Sequence, residues 1–252
     1  MKKFYFLIAL FIITAHNIRP QDSPFYDAPF GGGGGYTGGW IMPNVDGINV
    51  QLKNFAVPSL PSSGLYMSGG AGFIYLGFIK NLRVGGMGFS GSRTTSAIFY
   101  PPYPPYAGPF PFPNNNYSRE AVYSISGGGL TLEYTLPFVK DFGISVGAVI
   151  GRGNLNIQLY GNMETITWDN YWNGASGSSS SLKNNFWLFT PTLNVDIPAY
   201  HLLSFRIGAG YQYTFGSSWT YDNNKDIINA PSDINGNSFY IQAGIFVGLF
   251  SY

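Results

Sequence analysis

The chain has no cysteine, which excludes disulfides, thiolate metal sites and cysteine nucleophiles. It is also short of charge. Asp, Glu, Lys and Arg make up 10% of its 252 residues, against about 25% in ordinary soluble domains. The signs nearly cancel, with 13 basic and 12 acidic residues, so no basic footprint points to nucleic acid. Histidine is almost missing, with only His16 and His201. A histidine base or metal-ligand set therefore has little to draw on, and no cofactor or metal is expected. Past the first 15 residues, no apolar run is long enough for a transmembrane helix. Scarce charge does not imply disorder here, because 45% of the chain is hydrophobic.

Aromatics, at 18%, and glycine, at 34 residues, stand out among what is present. The start "MKK" followed by "FYFLIALFIITA" has the basic and apolar regions of a secretory signal peptide. Ile13 and Ala15 place the expected cleavage after Ala15. Residues 1–15 are then the signal peptide, 16–30 a leader and 31–252 one domain. Loss of Lys2 and Lys3 takes the net charge from +1 to −1.

Turn-forming and polar stretches divide the domain into eight expected strands, roughly 31–41, 65–78, 82–98, 118–136, 142–160, 184–197, 202–218 and 237–251. The intervening segments alternate in length. Long ones fall at 42–63, 100–117, 161–183 and 219–236, and short ones at 79–81, 137–141 and 198–201. Residues 100–117, "YPPYPPYAGPFPFPNNNY", cannot be a central strand.

Period-two patterning supports the strands. Trp187, Phe189, Leu193, Val195 and Ile197 alternate with Thr190, Thr192, Asn194 and Asp196. Phe205, Ile207, Ala209, Tyr211, Tyr213 and Phe215 alternate with Arg206, Gly208, Gly210, Gln212 and Thr214. In 142–160 the apolar parity switches from Ile144, Val146 and Ile150 to Leu155, Ile157 and Leu159, and a bulge is expected at Gly151 and Gly153. The run "GGGGG" at 31–35 reads as a flexible leader into a strand starting near Tyr36, or as a stretch where a plug or neighbouring strand comes close; the leader reading is favoured slightly.

Strictly alternating loop lengths, and polar faces rich in glycine and hydroxyls rather than charge, favour a barrel with its apolar face outward. Tyr134, Trp187, Tyr211 and Tyr213 are candidates for interfacial girdles. At the C-terminus, Gln242, Gly244, Val247, Leu249 and the terminal Tyr252 resemble the assembly signal of bacterial outer-membrane β-barrel proteins. The whole domain resembles the small eight-stranded members of that group, without matching one subfamily. The resemblance implies an all-β, eight-stranded antiparallel up-and-down transmembrane barrel with short periplasmic turns and long external loops. It further implies an outer-membrane location after export, contact with outer-membrane lipid, and recognition of the last strand by the barrel-insertion machinery. A monomer is expected.

An eight-stranded barrel leaves an interior about filled by its own side chains. Arg83, Glu133 and Arg206 fall on polar faces by parity, and Arg93, Arg152 and Asp196 are assigned there too, as a lumenal charge network. The alternative is a narrow polar path. In 44–58, Asn44 can cap a helix carrying Ile48, Leu52 and Phe55, and the segment reads equally as a loop with apolar anchors. The expected function is non-enzymatic, structural or surface-interacting through the external loops, where any extracellular ligand would be met. A small pore or transport barrel for polar or apolar solutes comes second, and a lipid-modifying enzyme third. His201 falls in a short turn, where a surface histidine is the expectation.

Overall fold

The computed structural model describes residues 30–99, 117–137, 142–163, 178–200, 202–222 and 225–251. The expected signal peptide, nearly all of the expected leader, most of the proline-rich loop, residues 138–141, 164–177 and 223–224, His201 and Tyr252 lie outside the described residues.

Eight long strands form the wall: β1 (Phe30–Pro43), β2 (Leu65–Tyr75), β3 (Leu82–Phe99), β4 (Tyr117–Thr135), β5 (Gly143–Met163), β6 (Ser178–Tyr200), β7 (Leu203–Tyr221) and β9 (Ser238–Ser251). A helix, α1 (Asp46–Asn54), follows β1, and a two-residue strand, β8 (Lys225–Asp226), pairs with the end of β7. Each wall strand pairs antiparallel with its neighbours in sequence order, and β1 pairs with β9 to close the ring. Where all eight strands run together, closure leaves no unpaired edge, the condition for a sheet to sit in hydrocarbon; towards the long loops, β3 beyond Gly91 pairs with β4 alone. The fold is an eight-stranded antiparallel up-and-down β-barrel.

The glycine run is part of β1. Gly32 to Gly35 pair with Ile74 to Ala71 on one side and with Leu249 to Phe246 on the other. The flexible-leader reading is therefore corrected, and the closely approaching neighbour is a strand on each side. A Cβ at Gly35 would lie 2.7 Å from the Phe246 Cα, so the seam needs glycine for steric reasons despite its poor strand propensity. The serine run at 178–181 likewise joins β6, paired with residues 158–161 of β5.

The bulge expected at Gly151 and Gly153 is absent: β5 keeps unbroken register with β4 and β6 through both residues. The parity switch has another cause. Odd-numbered residues of β5 face inward along its whole length, and the environment on each side of the wall reverses. In the half near the short turns, Ile144, Val146 and Ile150 face outward while Ser145 is buried. In the half near the long loops, Leu155 and Ile157 are buried inside and Arg152 is exposed outside. A bulge does occur in β7, where Asn185 pairs Ser218 but Trp187 pairs Phe215. Gly216, at φ +65°, supplies the left-handed residue. The extra residue flips the parity of β7, so Trp219 packs against the core while Phe215 faces outward.

The outward band includes Phe189, Leu193, Ile207, Tyr213, Ile241 and Val247, all exposed. On β6 it runs from Ile197 to Trp187, about ten residues, or roughly 24 Å of height at ~3.4 Å per residue and ~45° tilt. That matches the roughly 25 Å apolar band of a membrane barrel.

Candidate functional site

The lumen holds two layers of buried side chains. Nearer the short turns, Arg83 leaves β3 with no solvent exposure. Its Nε donates to Glu133 Oε2 at 2.5 Å, its Nη1 to Asp196 Oδ2 at 2.6 Å, and its Nη2 to Ser145 Oγ. Arg206 from β7 donates to both Asp196 oxygens, Nε to Oδ1 at 2.6 Å and Nη2 to Oδ2 at 3.1 Å, and lies 3.9 Å from Glu133. Asn194 Nδ2 donates to the second Glu133 oxygen at 2.9 Å, and Gln242 Nε2 donates to Asn194 Oδ1 at 3.3 Å.

Register explains why these residues meet. Arg83 sits directly across from Glu133 on β3–β4, and Asp196 from Arg206 on β6–β7. The two pairs face each other across the lumen. Phe73 lies between the cations, 4.2 Å from the Arg83 guanidinium carbon and 4.7 Å from that of Arg206, and Phe246 lies 4.5 Å from Arg206. Two positive and two negative groups leave the buried cluster with no net charge, which is what makes burial of ions tolerable.

Two residues assigned to this network lie elsewhere. Arg152 has even parity on β5, faces outward and lies over the Trp187 ring at 4.3 Å. Arg93 keeps inward parity but is exposed, near the loop end of β3, opposite Tyr123. The parity switch misled the assignment of Arg152. For Arg93, the side chain stands above the packed interior.

Nearer the long loops the lumen turns apolar. Ile41, Leu65, Met67, Ile125, Leu155, Phe186 and Leu188 form a buried core from the wall. The helix α1 folds into it, with Ile48 and Leu52 fully buried and Phe55 packed alongside. The Asn44 side chain accepts from the Asp46 N–H at 3.1 Å just ahead of the helix, although Val45 holds the N-cap position. Asn49 fixes the return chain by bonding both the N–H and the C=O of Leu60. Arg119 of β4 donates to the Phe55 carbonyl at 2.9 Å. The helical reading of 44–58 is thus the one adopted, and the helix enters the mouth of the barrel.

Between the layers, the hydroxyls of Thr192 and Tyr240 and the side-chain oxygen of Gln242 are buried without a protein hydrogen-bond partner. Such positions suit internal water. Among the described residues, no cluster of acidic or histidine side chains could hold a metal.

Of the expected assembly-signal residues, Gln242 and Gly244 face inward on β9, while Val247 and Leu249 are exposed on the lipid side.

No protein-family model and no curated protein matches the chain. Among solved structures it is similar to a major outer membrane protein from Thermus thermophilus, at 10% identity and TM-score 0.44, covering 87% of this chain and 99% of that one. It is similar to Neisserial surface protein A, at 10% identity and TM-score 0.41, covering 86% and 96%. It is also similar to the outer membrane protease OmpT from Escherichia coli, at 9% identity and TM-score 0.26, covering 89% and 94%. The fold itself stands on the strand register: a small eight-stranded barrel with its apolar face turned outward, the architecture of outer-membrane β-barrels.

Proposed function

We propose that the protein is a bacterial outer-membrane barrel with a filled lumen, whose role is structural or a surface interaction carried by its external loops. One observation carries this reading: the lumen is occupied twice, by the Arg83–Glu133–Asp196–Arg206 cluster and by the apolar core into which α1 inserts. A conducting path would have to displace both. In this reading the N-terminal segment directs export, the last strand is recognised by the insertion machinery, and the barrel works as a monomer in contact with lipid.

The non-enzymatic side of the proposal rests on access. The most closely coupled acid–base groups, Glu133 and Asp196 with their arginines, are at most 4% exposed, out of reach of a substrate. Planar-bilayer recording of the purified protein tests the filled lumen. The expected trace shows no discrete steps. Reproducible single-channel steps would favour the small-pore reading, and lipid turnover abolished by one substitution would favour the enzyme.

A further inference from the structure

Outside the barrel, where the apolar band ends, the wall carries a cavity of about 690 Å³. Its floor is shallow in side chains: the outward-facing Gly88 of β3 has none, and Gly127 and Gly153, paired across β4 and β5, face the lumen and offer only backbone there. The Gly216 bulge in β7 forms its far edge. Arg152 and Trp187 stand over it as a cross-strand pair, with the guanidinium on the indole face at 4.3 Å. Stacking uses the face of the guanidinium and leaves its N–H edge available to an acceptor. Among the described residues, no carboxylate lies within ion-pair distance of Arg152.

The height of the cavity matters as much as its lining. One step towards the short turns, the outward residues are Ile150, Phe189 and Tyr213, in the lipid band. One step the other way they are polar: Asn154, Asn185, Ser126 and Ser218, all of which line the cavity. The site therefore straddles the boundary between acyl chains and headgroups on the long-loop side. A planar cation with free donors matches a phosphate better than a neutral headgroup, and amides and hydroxyls around it add neutral donors.

We propose that this cavity seats the net-anionic phosphate headgroup of an outer-leaflet lipid, with Arg152 as its charge partner and Trp187 holding the guanidinium flat. The proposal rests on the membrane orientation above. A lipid fits better than a soluble phosphate, because the cavity opens at its lower edge onto the lipid-facing surface, where an acyl chain continues from the headgroup.

The test uses the full-length barrel refolded into phosphatidylcholine vesicles with trace spin-labelled lipid. Wild type is expected to prefer phosphatidic acid over phosphatidylcholine by about fivefold, the ratio typical of one basic group at an anionic surface. Arg152→Gln should bring the ratio close to one, and Arg152→Lys should keep part of it. Equal preference in wild type and Arg152→Gln, or none in wild type, overturns the proposal. Displacement of the lipid by millimolar inorganic phosphate would assign the site to a free anion and also overturn it. The heat-dependent gel shift of each sample reports barrel insertion separately. A wild type without that shift would instead sink the membrane orientation itself.

Discussion

Replacing Arg83 by methionine removes one of four charges from the lumenal cluster and leaves it at net −1. Glu133 then keeps only the Asn194 amide at 2.9 Å and the distant Arg206 at 3.9 Å, while Asp196 keeps its two-point contact with Arg206. Breaking a buried pair on one side costs about 3–5 kcal/mol. With a slope of ~2 kcal/mol per molar, the urea midpoint of the refolded barrel should fall by about 2 M. Arg83→Met with Glu133→Leu removes one charge of each sign and leaves the neutral Asp196–Arg206 pair. The double variant should lose less than half of what Arg83→Met loses, because replacing a whole buried pair by apolar groups is often near neutral. The assay is urea unfolding in vesicles for wild type, both single variants and the double variant. If the double variant falls by the sum of the singles, charge compensation is not what holds the cluster, and the reasoning from paired charges fails.

Two further outcomes are expected. Gly35→Val should disrupt the β1–β9 seam and reduce the unheated, fast-migrating form on gels, since its Cβ would meet the Phe246 backbone at 2.7 Å; Gly77→Ala, where nothing lies within 4 Å, should leave that form unchanged. Tyr252→Lys should lower the amount inserted in cells while the purified, refolded protein keeps its unfolding midpoint; unchanged membrane levels would remove the assembly-signal reading.

The period-two pattern made the wall strands legible because each faces lipid on one side and the lumen on the other. Arg83, Glu133, Asp196 and Arg206 were legible as inward residues for the same reason. Their meeting across the lumen was not, since it depends on register between strands distant in sequence. The parity switch in β5 was visible but misread. A pattern of side chains can reverse because the chain gains a residue, or because its surroundings change, and the two look alike in one strand. The real bulge, at Gly216, was hidden because Phe215 and Trp219 are both aromatic and kept the run looking regular. The glycine run failed on propensity: each glycine is a poor strand residue alone, and only a crowded seam between β2 and β9 makes it the fitting one.

The reversal of inside and outside along β5 also fixes the vertical position of the molecule. Sinking by two residues per strand would drag Arg152, Asn154 and Asn185 into hydrocarbon, where an arginine costs up to about 2–4 kcal/mol at mid-depth. Rising by the same amount would lift Phe189 and Ile150 into water. Both displacements are uphill, so the barrel has a single resting depth, written into the wall by where its two faces exchange roles. The outer half, with its greasy residues folded inward and its polar ones outward, is in effect a small water-soluble protein carried on a membrane-bound stem of the same strands. Changes in the long loops therefore leave the stem to go on setting how high they stand.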